Sequence, residues 1–237
     1  MPSTSETSFG AKLRKGQDIL TYISGFTGYN PPRTQESVPG FGSLITTIIS
    51  TNATESSQQE NYKVAVDLRQ AAFLRKIGSV DKLLSPIKGA VESQFGKKST
   101  EAVTINAIIR KMRATKLIKL PPDPTNPEQQ STLSQSERSY GSMTQFFNDI
   151  INTLTQFTGY NPSNTTIKIV TLQTTTTTLT TLNNSVIQKI QLLKTTRVNR
   201  LALYVDLKDR VQRIKSYVKA QYGNSSNEYN LIKGISI

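Results

Sequence analysis

The side chains able to do chemistry in this chain are few in kind. There is no histidine and no cysteine. That excludes Ser-His-Asp and Cys-His nucleophilic sites, histidine-ligated zinc and Glu-x-x-His di-iron bundles. Carboxylates and cations remain, and a few of them recur. Asp18 is matched by Asp149, and Lys88 by Lys215, within two stretches of sequence that repeat. Opposite charges on a first and a fourth helix point to an interhelix ion pair in each half. Its role would be register rather than large stability, because such a pair often only offsets its own desolvation. Asp149 is the sole acid between Glu137 and Asp206, which argues against a chance surface position. As catalysts these groups fall short: glycosidase-type chemistry needs two carboxyls facing one substrate. The other recurring acids, Glu101 and Glu228, follow Ser99 and Ser226 in a helix-start pattern. No phosphate-cradling glycine loop or dinucleotide fingerprint is present. The expectation is a protein that is not an enzyme, with no catalytic residues, no cofactor and no metal.

The repeat organises the rest. Phe26-Thr27-Gly28-Tyr29-Asn30-Pro31 returns as Phe157-Thr158-Gly159-Tyr160-Asn161-Pro162. At the same offset, residues 8–31 match residues 139–162 at ten of 24 positions. Residues 87–101 match 214–228 at Ile87, Lys88, Val91, Gln94, Gly96, Ser99 and Glu101. The chain reads as a tandem duplication. In each hexapeptide the glycine, Gly28 or Gly159, can take the left-handed conformation that closes a helix, and Pro31 or Pro162 cannot continue one. Both hexapeptides are read as helix-cap turns.

The elements between these turns are helical by periodicity. Met143, Phe147, Ile150, Leu154 and Phe157 form one stripe, as do Val80, Leu84, Ile87, Val91 and Phe95, and Leu207, Val211, Ile214, Val218 and Tyr222. First helices are expected over 11–24 and its second-copy counterpart. Second helices are expected over 42–51 and 165–182, third helices over 58–76 and 184–204, and fourth helices from Ser79 and Asp206, with one long bent helix the alternative for the third and fourth. The unbroken run Thr174 to Thr178 prefers strand by propensity, but the leucines around it keep helical spacing, and threonine hydroxyls can bond back to preceding carbonyls. Helix is expected there, and a kink at Pro86 and Gly89. The fold class is all-α, a tandem duplication of a small bundle with three to four helices per unit. Residues 1–10 read as a disordered tail, 11–113 as the first bundle, 114–137 as a Pro/Gln/Ser-rich linker and 138–237 as the second bundle.

Lysine and arginine number 29 against 16 acids, a formal charge of +13. Such an excess suggests an acidic partner or simply keeps the protein in solution. Lys189, Lys194, Arg197, Arg200, Lys208, Arg210, Arg213 and Lys219 concentrate it on the last helices and form a candidate surface for an anionic partner. Residues 139–188, in contrast, carry no charge but Asp149 and Lys168, which suggests a face covered by another copy. Phe146, Phe147, Ile150 and Ile151 would suit a membrane, but core helices look the same. No spanning run and no signal peptide is evident, so a cytoplasmic location is the default. Two readings of function follow. One is a non-enzymatic structural or assembly protein that binds itself, as a homo-oligomer or filament, or another protein. The other is a nucleic-acid-binding protein that uses the Lys/Arg-rich third and fourth helices of each unit.

Overall fold

The computed structural model describes residues 8–113, 117–119, 132–134 and 139–237. Helix α1 (Phe9–Gly25) is followed by a 3-10 turn (Thr34–Glu36) and α2 (Val38–Gln70), which ends in a π turn (Ala71–Arg75). Helices α3 (Val80–Phe95) and α4 (Thr100–Arg113) come next. A short antiparallel pair, β1 (Leu117–Lys119) and β2 (Thr132–Ser134), sets Ile118 opposite Leu133. Then come α5 (Tyr140–Gln156), a 3-10 turn (Thr165–Ile167), α6 (Ile169–Tyr222) and α7 (Asn227–Ile232). The architecture is helical, as the periodicity requires. Of the expected tail, residues 1–7 lie outside the described residues, while Ser8 already caps α1 by accepting from the Ala11 amide at 3.2 Å. Ser139 does the same for α5, accepting from Ser142 N at 3.0 Å. Most of the expected linker, including its prolines, also lies outside the described residues, and β1 and β2 pair within its span.

The helices divide into two compact units, and the division differs from the expected one. Unit 1 comprises residues 1–61 and 190–237, and unit 2 comprises residues 62–189. The bundles therefore do not coincide with 11–113 and 138–237. The physical reason is punctuation. No glycine or proline stands between Gly42 and Gly78, or between Pro162 and Gly223, so nothing ends a helix in either span. The expected second and third helices merge into α2, and the second, third and fourth of the other half merge into α6. Asp206, expected as an N-cap, sits inside α6 and accepts both hydrogen bonds of a bidentate contact from Arg210. In the first half the break does occur, at Gly78, whose φ is +82°.

In unit 1, Ile19 and Ile23 of α1 meet Phe41, Ile45 and Ile48 of α2, Leu207, Val211, Ile214 and Val218 of α6, and Ile232 of α7. Gly16 permits a close approach, since a Cβ there would lie 2.9 Å from Ile45 Cδ1. In unit 2, Phe147, Ile150 and Leu154 of α5 share a core with Leu84, Ile87 and Val91 of α3 and with Ile105 and Ile109 of α4. All of these side chains are buried, each contributing about 2 kcal/mol by area. Each core thus joins the opening helix of one repeat to the closing stripe of the other. The stripes read from the sequence are the core faces, and Phe147, Ile150 and Ile151 belong to the interior of unit 2, not to a membrane-facing patch. Helix α3 passes through Pro86 as one element from Val80 to Phe95.

The threonine run is helical throughout. Thr174, Thr175, Thr177 and Thr178 each donate to the carbonyl four residues earlier, at 2.9 to 3.3 Å. These four hydroxyls thereby find partners on the helix's own backbone, and strand propensity loses to packing of Leu172 and Leu179.

Candidate functional site: the repeated turns and the cleft beside one of them

The hexapeptide turns are built alike. Helix α1 closes at Phe26, and Gly28 then takes φ +75°; α5 closes at Phe157, and Gly159 takes φ +84°. Seven residues after each turn tyrosine, a backbone carbonyl receives its hydroxyl. Tyr29 Oη donates to Glu36 O at 2.8 Å, and Tyr160 Oη donates to Ile167 O at 3.1 Å. The glycine carbonyls are held too. Gln221 Nε2 donates to Gly28 O at 2.7 Å, and Gln94 Nε2 donates to Gly159 O. Ring contacts complete each clamp, Phe26 against Tyr222 at 5.8 Å and Phe157 against Phe95 at 5.6 Å. Burial pushes the Tyr160 hydroxyl up to about 12. Burial also raises Tyr29, helped by the nearby Glu36, Tyr217 and Tyr222. Both phenols therefore stay protonated donors at neutral pH. Pro31 and Pro162 leave each turn toward the following 3-10 segment, as helix-cap turns require.

A cleft flanks each turn, and the two differ in chemistry. In unit 1 a cleft of about 360 Å3 lies between Pro31, Pro32 and Arg33 on one side and Asp209, Arg213 and Tyr217 on the other. Glu36 lines it, with its side chain only 4 % exposed and Oε2 3.2 Å from Arg33 Nε. Arg213 Nε donates to Asp209 Oδ2 at 2.8 Å. That hydrogen bond holds the Asp209 carboxyl below its ordinary value, with the charges of Arg213, Arg33 and Arg210 adding to it. In unit 2 the matching cleft is lined by Pro86, Ala90, Pro162, Ser163, Asn164 and Ile167. Among the described residues no charged side chain lines this cleft.

The expected ion pairs are replaced by other contacts. Asp18 binds Arg14 Nε at 3.2 Å, four residues before it on α1. Asp149 accepts from Gln145 Nε2 at 3.0 Å, again four residues before it. Lys88 lies 3.7 Å from Glu92 within α3, and Lys215 donates to the Lys233 carbonyl at 3.0 Å. Desolvation lowers the Lys215 amine. Asp18 and Lys88 also fall in different compact units. The recurrence of each aspartate thus reflects a partner one helical turn away, which i, i+4 geometry supplies without any second helix.

The candidate anionic-partner surface is largely spoken for inside the protein. Glu55 accepts from Arg197 Nε at 2.9 Å and from Arg200 Nη1 at 3.0 Å. Arg200 also stacks over the Phe9 ring at 4.5 Å. Arg210 binds Asp206 through two nitrogens, at 2.9 and 2.7 Å, and donates to the Gln35 and Gly40 carbonyls. Lys219 Nζ lies 5.9 Å over the Tyr229 ring. Lys194 and Lys208 are exposed on α6, and Lys189 is half-buried in unit 2. Four of the eight cations, Arg197, Arg200, Arg210 and Arg213, hold carboxylates of this chain. Sequence reasoning missed Arg33, Glu36, Asp209 and Tyr217 as a group. Two signals were present, the four-residue spacing of Asp209 and Arg213 and the repetition of Gln94 at Gln221.

Beyond the turns, α6 carries an uncovered apolar row. Val198, Leu201 and Val205 are 65, 54 and 69 % exposed. Exposed Ala202 completes an i, i+3, i+4, i+7 pattern on one face. Among the described residues no helix is long and apolar enough to cross a membrane. Comparison of the chain with protein-family models, with curated proteins and with solved structures finds no match.

Proposed function

We propose that this chain is a non-enzymatic structural or assembly protein of the cytoplasm, built from a duplicated helical unit, that associates with copies of itself through α6. The observation that carries the reading is the row Val198, Leu201, Ala202 and Val205, apolar and exposed on one helix face. An exposed apolar row on one helix face supports a contact surface there. The commitment of Arg197, Arg200, Arg210 and Arg213 to internal carboxylates supports the same reading, because it leaves fewer cations for phosphate. The paired turn contacts, Gln221 to Gly28 and Gln94 to Gly159, support descent from one duplicated unit.

Salt gives the test a sign. Lys194 and Lys208 stand seven residues on either side of Leu201, so a contact between two copies centred there brings like charges together. Screening them should strengthen self-association as ionic strength rises from about 0.05 to about 0.5 M. The alternative reading, nucleic-acid binding, draws on the exposure of those same lysines, and phosphate contact weakens steeply with salt. Light scattering on nuclease-treated and untreated preparations at both ionic strengths separates the two. The expected result is an oligomer that persists or grows at high salt and is reduced to monomer by the double change Val198→Glu and Val205→Glu. A monomer that carries nucleic acid and loses it at high salt would overturn the proposal.

A further inference from the structure

We propose that the unit 1 cleft beside the Pro31 turn is a binding site for a small organic oxyanion, a carboxylate or phosphate monoester attached to an apolar ring. The recognition elements are two guanidiniums held in place by carboxylates of the protein. Arg33 is ion-paired to Glu36, with Nε 3.2 Å from Oε2, and Arg213 donates through Nε to Asp209. The terminal nitrogens of both make no hydrogen bond among the described residues, so each presents a free pair of donors. A guanidinium fixed by its Nε and open at its terminal nitrogens is arranged for bidentate contact with an oxyanion. Pro31, Pro32 and the Tyr217 ring supply the apolar walls, and Tyr217 is itself held by an edge contact to Tyr29 at 5.5 Å. The volume, about 360 Å3, suits a small ligand.

The strongest argument is Glu36. Its Oε1 is buried with no hydrogen-bond partner among the described residues, which makes a carboxylate costly at this position. The matched backbone position in unit 2, whose carbonyl also receives a turn tyrosine, is Ile167, 2 % exposed. Packing at this position is therefore satisfied by an isoleucine. A buried carboxylate in the same place serves something other than packing, and what it does in the structure is hold Arg33 at the cleft. The rest of the lining changes in step. Arg33 is matched by Asn164, Arg213 by Pro86 and Tyr217 by Ala90. The turns and their glutamine clamps are kept in both units, while among the described residues the charged lining is found beside the unit 1 turn and not beside the unit 2 turn. Unit 2 is a control present in the same molecule.

The test is titration of the full chain, followed by amide chemical shifts, with phenyl phosphate, benzoate, inorganic phosphate and benzylammonium as probes. Phenyl phosphate or benzoate should shift Arg33, Ser216 and Tyr217 saturably and leave Ala90 and Asn164 unmoved. Arg33→Asn, which installs the residue of unit 2, and Arg213→Gln should each weaken binding on the order of tenfold, the loss of one charge-assisted contact. Shifts elsewhere in the spectrum should stay as in the parent, which shows that both variants are folded. No saturable shift with either aromatic anion at about 10 mM, a millimolar limit for specific small-ligand binding, would overturn the proposal. So would equal binding by benzylammonium, by inorganic phosphate alone, or by both variants.

Discussion

Gln221 reaches from the end of α6 to the carbonyl of Gly28, 193 residues earlier in the chain, at 2.7 Å. Gln94 makes the same contact to Gly159 in the other unit. The carbonyl after each positive-φ glycine turn is thus bound by a side chain from the distant half of the repeat. Gln221→Leu and Gln94→Leu should each cost about 1 kcal/mol, the net value of one neutral hydrogen bond. Urea denaturation of each variant would check this, and an unchanged midpoint in both would show the clamp to be idle.

Glu55 holds two guanidiniums at once, with its side chain 14 % exposed and that of Arg200 19 % exposed. Glu55→Gln should destabilise by about 2 kcal/mol, because it strands a mostly buried cation. Asp209→Asn breaks a pair in which both side chains are 49 % exposed, and the loss should be much smaller. The two denaturation midpoints, compared side by side, decide whether burial sets the cost.

Alkaline pH should loosen both turns. A tyrosine whose hydroxyl is raised on folding contributes stability that is complete below its ordinary value near 10. That stability is lost as pH rises through the folded value, about 12 for Tyr160 and higher for Tyr29. Thermal melts should therefore fall between pH 10 and 12. The double variant Tyr29→Phe and Tyr160→Phe should start lower, having lost both hydroxyl bonds, and fall less steeply. An equal slope in parent and variant would place the alkaline sensitivity elsewhere.

Two glycines in helices should respond oppositely to alanine. A Cβ at Gly40 would stand 2.1 Å from the Thr34 carbonyl oxygen, so Gly40→Ala must displace the 3-10 turn from the start of α2. A loss of about 3 kcal/mol or more is expected, the scale of an overpacked core site. Gly89 in α3 has no atom within 4 Å of its Cβ position. Gly89→Ala should stabilise by about 1 kcal/mol through helix propensity. Calorimetry on both gives the signs directly.

Faces were legible in the sequence, and partners were not. Met143, Phe147, Ile150 and Leu154 announced their burial by spacing, and the Gly28 and Gly159 turns announced a helix stop by residue type. Periodicity says which side of a helix is apolar, however, without saying what covers it. The stripe ending at Phe95 and the stripe ending at Tyr222 are near copies, so either could have covered α1. The choice is made by tertiary packing. Asp18 misled for a related reason: recurrence marks a position as used but does not name its partner, and Arg14 and Gln145, the true partners, differ in type. The cleft was hidden because Arg33 and Glu36 are separated in sequence from Asp209 and Arg213, and only the fold of unit 1 joins them.

The make-up of unit 1 sets the order in which the protein can form as it is synthesised. Unit 2 is one continuous segment, residues 62–189, and all of it has left the ribosome's catalytic centre while the larger part of α6, residues 190–222, is still unmade. Unit 1 must wait. Ile19, Ile23 and Phe41 emerge early, but Leu207, Ile214 and Ile232 that cover them come last. The growing chain therefore carries an incompletely covered α1 until α7 is made, and closing that core spans the whole intervening length, a slow, long-range step. Molecular chaperones that shield apolar helices would find their substrate at this end of the chain, during that interval.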